Sequence, residues 1–509
     1  MELPEEFNLT NALIDAHVAK GRGDRIAIYY QDQRLTYRDV QRLVNKAGNA
    51  LASIGTEMEN RVAILMHDSP DWIACFFGAI KIGAVPIPLN TMMTPSDYEY
   101  ILNDSRAKTI IVNDSFLKPI EEVADNLRHL RNIVVVGENA GKHLSYKELV
   151  DVASPELEAA STHRDEPGYW WYTSGSTGTP KGTVHLQHDL MYLGKYFGEE
   201  HLGLREEDIV FTIAKLFFSF GTGVLGAGLY TGAPVVLMTE RPLPDKVLEA
   251  ITKYKPTVFL GVPSFFANLL EVDNIDRNAL SSIRSCHSGG EQLPAQLYER
   301  FKQRFGIELL DVMGSTEIAG AFLGSKAGKV KPGSVGQVLP GHEAKLLDEE
   351  GREVPTGEIG ELYIKGEASS PCYWNKHQKT KETMVGEWIR TGDIFRKDEE
   401  GYFWSQGRVD DVIKAGGIKV SPTEVEATLL QHPAVAEAAI VGAPDKDGLT
   451  KPKAFVVLRS GYQSSPDLAR ELQQHIKDRL APYNYPRWVE FATELPRTTS
   501  GKIQRFKLR

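Results

Sequence analysis

A glycine- and hydroxyl-rich stretch carries the clearest chemical signal in the sequence. It runs from Thr173 to Gly182 and reads TSGSTGTPKG. Glycines expose backbone N–H groups, hydroxyls add donors and Lys181 adds a positive charge, so the stretch suits the binding of a phosphate group. It is not a Walker A loop, because that motif requires glycine at Pro180 and serine or threonine at Gly182. We therefore predict a phosphate-binding loop of another kind, and a flexible surface turn is the alternative that composition leaves open.

Six further short motifs combine glycine or a hydroxyl residue with a charged side chain. They are Ser288-Gly289-Gly290-Glu291, Gly314-Ser315-Thr316-Glu317, Gly357 to Leu362, Arg390-Thr391-Gly392-Asp393, Gly407 to Lys414 and Ser500-Gly501-Lys502-Ile503. Taken singly, Glu317 is most simply an acid at a helix start and Lys502 a solvated lysine near the chain end. Asp393 and Arg408 are by themselves most simply surface ion-pair residues. The ordered set, and no single tetrapeptide, indicates chemistry.

In their order these motifs resemble the core motifs of the adenylate-forming superfamily, which includes acyl-CoA synthetases, peptide-synthetase adenylation domains and luciferases. The resemblance spans nearly the whole chain. It implies a reaction in which a carboxylate and ATP form an acyl-adenylate and pyrophosphate, after which a thiol displaces AMP to form a thioester. Both steps develop negative charge, so fixed cations and hydrogen-bond donors would accelerate them. ATP, Mg²⁺ and coenzyme A are the cofactors that the resemblance implies.

The resemblance also assigns roles to individual residues. Glu317 and the Thr177 hydroxyl would hold Mg²⁺, which prefers oxygen ligands and bridges phosphate oxygens. Asp393 would accept hydrogen bonds from the ribose hydroxyls, with Arg408 nearby. The residues expected to bind nucleotide or coenzyme A are Thr173, Ser174, Gly175, Ser176, Thr177, Gly178, Lys181, Gly289, Gly290, Glu291, Met313, Gly314, Ser315, Thr316, Asp393, Arg408 and Gly417.

Three residues of the C-terminal part are expected to act in catalysis by the same resemblance. Lys502 would stabilise charge while the carboxylate attacks phosphorus. Asp410 matches the hinge about which the C-terminal domain rotates between half-reactions, since a hinge residue must absorb a change in backbone torsion. Lys414 and Gly417 would lie on the face presented for thioester formation, where Gly417 leaves room for a pantetheine arm. Without the resemblance, the segment around Asp410 is simply a charged turn.

The predicted acid pocket has aromatic walls. The stretch from Leu216 to Gly221 reads LFFSFG, and together with residues 261–264 and 370–393 it most resembles benzoate-CoA ligases and related aryl-CoA ligases. Aromatic walls suit a flat acyl group, although clustered phenylalanines also commonly fill a core. The pocket residues implied by the resemblance are Phe217, Ser219, Phe220, Gly221, His287, Ser288, Gly314, Gly320 and Ala321.

Several departures from benzoate-CoA ligases bear on the substrate. Gly320 and Ala321 stand where those enzymes usually carry a histidine and a bulky aliphatic residue, so we expect more room and an acid larger than benzoate. Such changes alter preference by only ~1 to 3 kcal/mol per group, so benzoate would still react weakly. Met313 would pack on adenine through its sulfur in place of the usual aromatic ring. Cys372, at a position often occupied by glycine, has no explanation from the sequence.

Other functions remain open at the level of sequence. A medium-chain fatty acid is the alternative substrate, and a stand-alone adenylation enzyme that loads a carrier protein is the alternative ligase. A luciferase-like oxygenase is a weaker possibility. A nucleotide-binding protein without activity is disfavoured, because Thr177, Glu317, Asp393 and Lys502 are all present.

Composition excludes several classes of protein. The chain has 509 residues, 42% of them hydrophobic, and its formal net charge of -10 is unfavourable for binding nucleic acid. Its three cysteines lie far apart without CxxC spacing, which argues against a disulfide framework or a cysteine zinc site. The acidic start does not resemble a signal peptide, and no apolar run is long enough to cross a bilayer. We expect a cytoplasmic monomer or homodimer that binds neither nucleic acid nor membrane.

Hydrophobic patterning predicts an α/β fold, because short apolar strands alternate with helix-like segments. The clearest unit has a strand at 62–66, a helix that starts at Ser69-Pro70 and stops at Gly83, and a second strand at 85–89. We expect a large N-terminal domain, residues 1–409, of two helix-covered sheets plus a small antiparallel subdomain between Gly333 and Tyr402. A mobile α+β domain, residues 410–509, would follow. One of its helices would start at Ser421, and another would carry Leu468, Leu472, Ile476 and Leu480 on one face.

Overall fold

A computed structural model describes residues 1–173, 180–273, 275–276, 278–409, 411, 413–415, 418–445, 449–480, 484–497 and 503–508. Several predicted site residues lie outside this part of the chain: Ser174, Gly175, Ser176, Thr177, Gly178, Asp410, Gly417 and Lys502. Lys414 belongs to a strand, and its side chain is likewise outside the description.

The strands of the described chain form both parallel and antiparallel sheets. In chain order they are β1 Ile26–Tyr30, β2 Gln33–Thr36, β3 Arg61–Leu65, β4 Val85–Pro88, β5 Thr109–Asn113, β6 Asn132–Val136, β7 Leu144–Ser145, β8 Pro167–Thr173, β9 Lys181–Leu186, β10 Val210–Thr212, β11 Val235–Leu237, β12 Val258–Gly261, β13 Ser285–Gly289, β14 Leu309–Ser315, β15 Gly320–Gly324, β16 Gln337–Val338, β17 His342–Leu347, β18 Ile359–Gly366, β19 Met384–Val385, β20 Trp388–Lys397, β21 Phe403–Arg408, β22 Ile413–Ala415, β23 Ile418–Val420, β24 Val435–Pro444, β25 Thr450–Leu458 and β26 Trp488–Phe491.

The helices alternate with these strands. They are α1 Tyr37–Ser53, α2 Pro70–Lys81, α3 Pro95–Ser105, α4 Leu117–Glu121, α5 Tyr146–Val152, α6 Asp189–Leu193, α7 Ser219–Thr231, α8 Pro244–Tyr254, α9 Pro263–Glu271, α10 Ala295–Phe305, α11 His377–Thr383, α12 Pro422–Leu429 and α13 Pro466–Lys477. Segments of π-helix occur at Asn11–Asp15, Val18–Arg22 and Gly194–His201, and short 3₁₀ turns at Asp114–Phe116, Ala124–Asn126, Thr316–Ile318 and Arg505–Lys507.

Two large sheets organise the N-terminal part. One has the strand order β16-β15-β14-β13-β12-β10-β11-β1-β2, with parallel pairing from β14 to β1 and antiparallel strands at both edges. The other is parallel, in the order β4-β3-β5-β6-β7. Buried cores line both sheets, as the near-continuous apolar strands require. The predicted pair of helix-covered sheets is confirmed.

The β3-α2-β4 unit forms because its local signals agree. The Ser69 side chain accepts a hydrogen bond from the backbone N–H of Trp72, and Pro70 occupies the first helical turn. The helix is apolar on nearly every face and is buried against α1. The predicted unit is therefore present, with bounds within one or two residues of expectation.

A smaller antiparallel sheet follows in the order β17-β18-β20-β19, with β21 paired to β20. It matches the antiparallel subdomain predicted from the glycine-rich turns. The C-terminal part contains the hairpin β22–β23 and the sheet β24-β25-β26, covered by α12 and α13. Ser421 starts α12: its hydroxyl accepts from Glu424 N and donates to the carbonyl of Gln406, 2.6 Å away. The predicted fold class is confirmed.

Candidate active site

The predicted phosphate loop lies between two paired strands. Thr173, the last residue of β8, is opposite Lys181, the first residue of β9. The Lys181 ammonium lies 4.3 Å from the centre of the Tyr373 ring. Burial lowers the pKa of Lys181, and the nearby carboxylate of Glu317 opposes that shift. A cation is therefore held where the chain leaves the loop, as phosphate binding requires.

Glu317 lies on the short turn Thr316–Ile318 that follows β14. The Tyr373 hydroxyl donates a hydrogen bond to Glu317 Oε1 over 2.6 Å. The backbone N–H of Ser370 donates to the Glu317 carbonyl over 2.7 Å. Burial and the negative charge of Glu317 raise the pKa of Tyr373, which keeps its hydroxyl protonated. Tyr373 thus joins the loop lysine to the predicted metal ligand.

The segment around Tyr373 is held by backbone pairing with β9. Val184 N donates to the carbonyl of Cys372 over 3.1 Å, and Trp374 N donates to that of Gly182 over 2.8 Å. These bonds place residues 372–374 beside β9 like an added antiparallel strand. The half-buried side chain of Cys372 packs against the core of the parallel sheet, and burial raises its pKa. This packing is the structural role that the sequence did not reveal.

A buried histidine anchors the turn that carries Glu317. His185 Nδ1 lies 2.7 Å from Asp189 Oδ2, and His185 Nε2 lies 2.7 Å from the carbonyl oxygen of Thr316. These two contacts hold the His185 ring in place, so the imidazole ties the turn of Glu317 to the start of α6. Burial pushes the pKa of Asp189 upward, but the neighbouring imidazoles of His185 and His188 outweigh it and lower that pKa.

The predicted ribose ligand faces a guanidinium. Asp393 and Arg408 are opposite each other on β20 and β21, with Arg408 Nη1 2.9 Å from Asp393 Oδ1. Gly392 has φ +74°, and a Cβ there would lie 2.8 Å from Arg408 Nη2. The positive φ favours glycine at this turn, whereas the end of the arginine side chain could shift to make room. The arrangement holds a carboxylate that can accept from two neighbouring hydroxyls.

Four elements meet at the predicted acid pocket. Ser219 Oγ, at the start of α7, lies 3.4 Å from Thr316 Oγ1. A Cβ on Gly289 would lie 3.1 Å from the ring of Phe220. The backbone of Gly314 approaches that of Gly320 so closely that no side chain fits between them. The structure thus brings together the ends of β13 and β14, the start of β15 and the start of α7.

Some predicted pocket residues have other neighbours. Phe217 is buried with its ring 4.5 Å from that of Phe218. His287 is buried, with Nε2 2.8 Å from Ser285 Oγ and burial lowering its pKa. Successive side chains on β13 point to opposite faces, so Ser288 and His287 cannot both face the same pocket. At most one of the two side chains can therefore line the pocket, and the assignment of His287 and Ser288 to it stays a prediction.

The space beside Gly320 is occupied. A Cβ on Gly320 would lie 2.5 Å from Leu193 Cδ1. Leu193 is buried at the end of α6. The missing side chain at position 320 is thus offset by a leucine from another element, and the expected extra room depends on Leu193. Ala321 is buried in the same core.

The loop before α7 is positioned by residues that carry no motif. Asp68, just beyond β3, accepts a hydrogen bond from Leu216 N over 3.0 Å, and burial raises its pKa to about 6. Lys215 Nζ donates to the carbonyl oxygens of Met238, Thr239 and Glu240. Burial lowers the pKa of Lys215. Neither residue was predicted, because an isolated aspartate or lysine has no local signal of such a role.

The donor set near Glu317 fits a cation that arrives with a nucleotide. Within the described ranges, no group of three or more His, Cys, Asp or Glu side chains could hold a metal by itself. Mg²⁺ commonly takes one or two carboxylates and completes its shell with phosphate oxygens and water. Glu317 can supply such a carboxylate.

In the part of the chain that the structure describes, no helix combines the length and apolarity needed to cross a membrane.

Fold and site together define an AMP-binding enzyme. The chain matches the AMP-binding enzyme family over residues 15–374 and the AMP-binding enzyme C-terminal domain over residues 424–502. The first match covers more than half of the chain, which therefore belongs to this family. The predictions of the adenylate-forming superfamily and of an enzyme are confirmed.

Comparison with named proteins shows which members of the family this chain resembles. A benzoate–CoA ligase of Thauera aromatica is 43% identical over 100% of this chain and 97% of its own length. A 4-hydroxybenzoate–CoA/benzoate–CoA ligase of Rhodopseudomonas palustris is 39% identical over 99% of this chain and 94% of its own. The crystal structure of an anthranilate CoA ligase in complex with anthranoyl-AMP has a TM-score of 0.94 and 41% identity, covering 100% of this chain and 98% of that one. The predicted resemblance to benzoate-CoA ligases is confirmed.

Proposed function

We propose that this enzyme activates an aromatic carboxylic acid with ATP and transfers the acyl group to coenzyme A. The observation that carries the proposal is the contact between Ser219 and Thr316, 3.4 Å apart. It joins the aromatic-walled segment 217–220 to the turn that carries Glu317, so an acid bound there has its carboxylate beside the nucleotide site. The similarity over the full chain to ligases of benzoate and hydroxybenzoate supports the same reaction.

In the first half-reaction a carboxylate oxygen attacks the α-phosphorus of ATP, and the bond to pyrophosphate breaks. Lys181 and the loop N–H groups bind phosphate oxygens, and Lys502 stabilises the charge that develops at the carboxylate and the α-phosphate. Glu317 and Thr177 would hold Mg²⁺, which neutralises phosphate charge when bound. Asp393 orients the nucleotide by accepting hydrogen bonds from the ribose hydroxyls.

In the second half-reaction the sulfur of coenzyme A attacks the carbonyl carbon of the acyl-adenylate. AMP leaves with the bonding electron pair, and the thiol proton goes to solvent. Rotation about Asp410 would present Lys414 and Gly417 to the pantetheine arm, with residues 1–409 and 410–509 moving as two domains. These assignments rest on the resemblance of residues 407–417 to the family's hinge motif.

We favour a benzoate that carries a small ring substituent. Gly320 and Ala321 keep the wall of the pocket thin, but Leu193 fills the space behind Gly320 and so limits the depth of the site. A hydroxyl or amino substituent needs less room than an extended side chain. Relatives named as ligases of hydroxybenzoate and anthranilate agree with this size.

The location of the protein in the cytoplasm and its state as monomer or homodimer remain predictions from the sequence.

A CoA-dependent AMP-release assay tests the proposal. The panel comprises benzoate, hydroxy- and aminobenzoates, phenylacetate, cinnamates and C4 to C10 fatty acids, with Lys502→Ala as the inactive control. We expect the highest kcat/KM for a hydroxy- or aminobenzoate. Preference for linear acids would contradict the aromatic assignment, and pyrophosphate release without CoA turnover would indicate loading of a carrier protein.

A further inference from the structure

Leu193 lies where α6 meets two elements of the candidate acid pocket. It is the last residue of α6, before the π-helical segment Gly194–His201, and its side chain is buried. Two glycines from different elements face it. A Cβ on Gly320 of β15 would lie 2.5 Å from Leu193 Cδ1, and a Cβ on Gly223 of α7 would lie 3.1 Å from the same methyl group. The leucine therefore occupies the gap that these two glycines leave.

The positions of Gly223 on α7 and of Gly320 on β15 show where this gap lies relative to the pocket. Gly223 lies one turn beyond Ser219 on α7, so it continues the wall that begins with Ser219 and Phe220. Gly320 follows closely on the turn of Glu317 and packs against the backbone of Gly314. Ser219, Phe220 and Gly320 are partly accessible, whereas Leu193 behind them is buried. Its isobutyl group thus closes the site beside Gly223 and Gly320.

We infer that Leu193 forms the floor of the acid pocket and determines the largest acid that the enzyme accepts. The inference rests on the proposed function and adds a specificity-determining residue to it. The two glycines let the leucine approach, so the depth of the pocket depends on the size of residue 193 as much as on residue 320. Shortening this side chain removes about three carbon atoms from the floor and deepens the site toward α6.

Leu190 supplies a matched control on the same helix. It is also fully buried, and it packs against Gly226, with a distance of 3.2 Å from the Cβ position of that glycine to Leu190 Cδ2. Gly226 lies nearly one turn beyond Gly223 on α7, farther from Ser219. Leu190→Ala therefore creates a comparable core defect away from the candidate pocket. This variant distinguishes the effect of a general loss of core packing from the effect of a change in the pocket floor.

The experiment compares kcat/KM for benzoate and for a series of 4-alkylbenzoates and cinnamates in the wild type, Leu193→Ala and Leu190→Ala. We expect Leu193→Ala to raise the ratio of a bulkier acid to benzoate by about tenfold or more, since each methylene of a pocket wall is worth about 10- to 200-fold in discrimination. Leu190→Ala should leave that ratio within about twofold of the wild type. Equal ratios in Leu193→Ala and Leu190→Ala would overturn the inference.

A substitution on the opposite side of the contact provides a second test. Gly320→Ala should lower the ratio of bulky to small acids, because its new methyl group and Leu193 compete for one space. In the Leu193→Ala background the same change should have little effect, which a double-mutant cycle measures. Should Leu193→Ala not fold, Leu193→Val takes its place with a smaller shift in the same direction. Additive effects of positions 193 and 320 would contradict the inference.

Failure of the proposed function gives a different result. It would appear in the wild type, as the absence of CoA thioester from every aromatic acid in the panel. The role of Leu193 is then measured by pyrophosphate release with linear acids of increasing length. Leu193→Ala should lengthen the preferred chain and Leu190→Ala should not, and an unchanged length optimum would overturn the inference independently.

Discussion

At the scale of single residues, Tyr373 connects groups that belong to distant motifs. Its ring lies under the Lys181 ammonium, and its hydroxyl donates to Glu317 over 2.6 Å. The ring face attracts the Lys181 ammonium, so this cation is held by a residue that is distant in the sequence. The hydrogen bond limits rotation of the Glu317 carboxylate. Tyr373 is thus a positioning residue for the predicted metal ligand.

Tyr373→Phe should weaken the binding of magnesium while leaving the acid pocket intact. The ring remains under Lys181, but Glu317 loses its donor, and loss of such an outer partner typically costs about 10- to 100-fold in metal affinity. We expect the Mg²⁺ concentration for half-maximal adenylate formation to rise about tenfold, with the KM for the acid unchanged. Calorimetric titration of ATP with and without Mg²⁺ should show that only the magnesium-dependent part of the affinity falls.

Tyr402→Phe is the control for this prediction. Tyr402 also belongs to the region after β16, and its hydroxyl donates to the carbonyl oxygen of Lys329 over 2.7 Å, away from Glu317. It should lose a hydrogen bond without altering the magnesium requirement. A parallel rise in both variants would mean that Tyr373 acts on overall stability and not on Glu317.

At the scale of elements, a buried cation holds three N-terminal helical segments together. Lys81 of α2 is 2% exposed, and its Nζ lies 2.7 Å from Asp15 Oδ2 and 2.7 Å from Asn45 Oδ1. Asp15 ends a π-helical segment and Asn45 belongs to α1. Removing one member of a buried ion pair leaves the other uncompensated, which is far more costly than removing both.

Lys81→Met should therefore lower the free energy of unfolding by about 3 to 5 kcal/mol. The double variant Asp15→Asn/Lys81→Met should recover a large part of that loss, because no unpaired charge remains. Urea unfolding followed by tryptophan fluorescence measures both values. Equal loss in the single and double variants would show that packing of the lysine stem, and not its charge, stabilises the three segments.

At the scale of the whole molecule, contacts join the C-terminal part to β21. Ser421 donates to Gln406, and α12 packs beside β21. Within the C-terminal part, the Arg505 guanidinium pairs with Glu426 over 2.8 Å and with Asp411 over 3.4 Å. Asp410 lies along the chain between Gln406 and Ser421, the two residues that the first hydrogen bond joins. A change of torsion there would alter the contacts between β21 and the C-terminal part.

Asp410→Pro should separate the two half-reactions. Proline holds φ near −65° and cannot follow a torsional change. We expect ATP–pyrophosphate exchange within about threefold of the wild type and a loss of about 100-fold or more in transfer to CoA, measured in single-turnover reactions. Asp410→Ala, which leaves φ free, should retain both activities. A similar loss of exchange and transfer in Asp410→Pro would contradict the hinge.

The sequence by itself determined the α/β class, the order of the main elements and the identity of the motifs. Ser69 and Pro70 start α2 through bonds within one turn. Apolar strands can be predicted from the sequence because burial imposes a local pattern of hydrophobic residues. The motif residues Lys181, Glu317 and Asp393 were also identifiable, because each belongs to a short run of characteristic residue types.

Only the tertiary structure decided which of these residues touch. Tyr373 and Glu317 are 56 positions apart, and His185 meets the Thr316 carbonyl across 131 positions. Leu193 fills the space beside Gly320 only because α6 packs against α7, which in turn contacts β15. Local hydrogen bonding and periodicity act over a few residues, whereas the packing of a pocket depends on elements that become neighbours after the sheets have formed. The size of the acid is consequently a property of the packed structure and not of any single motif.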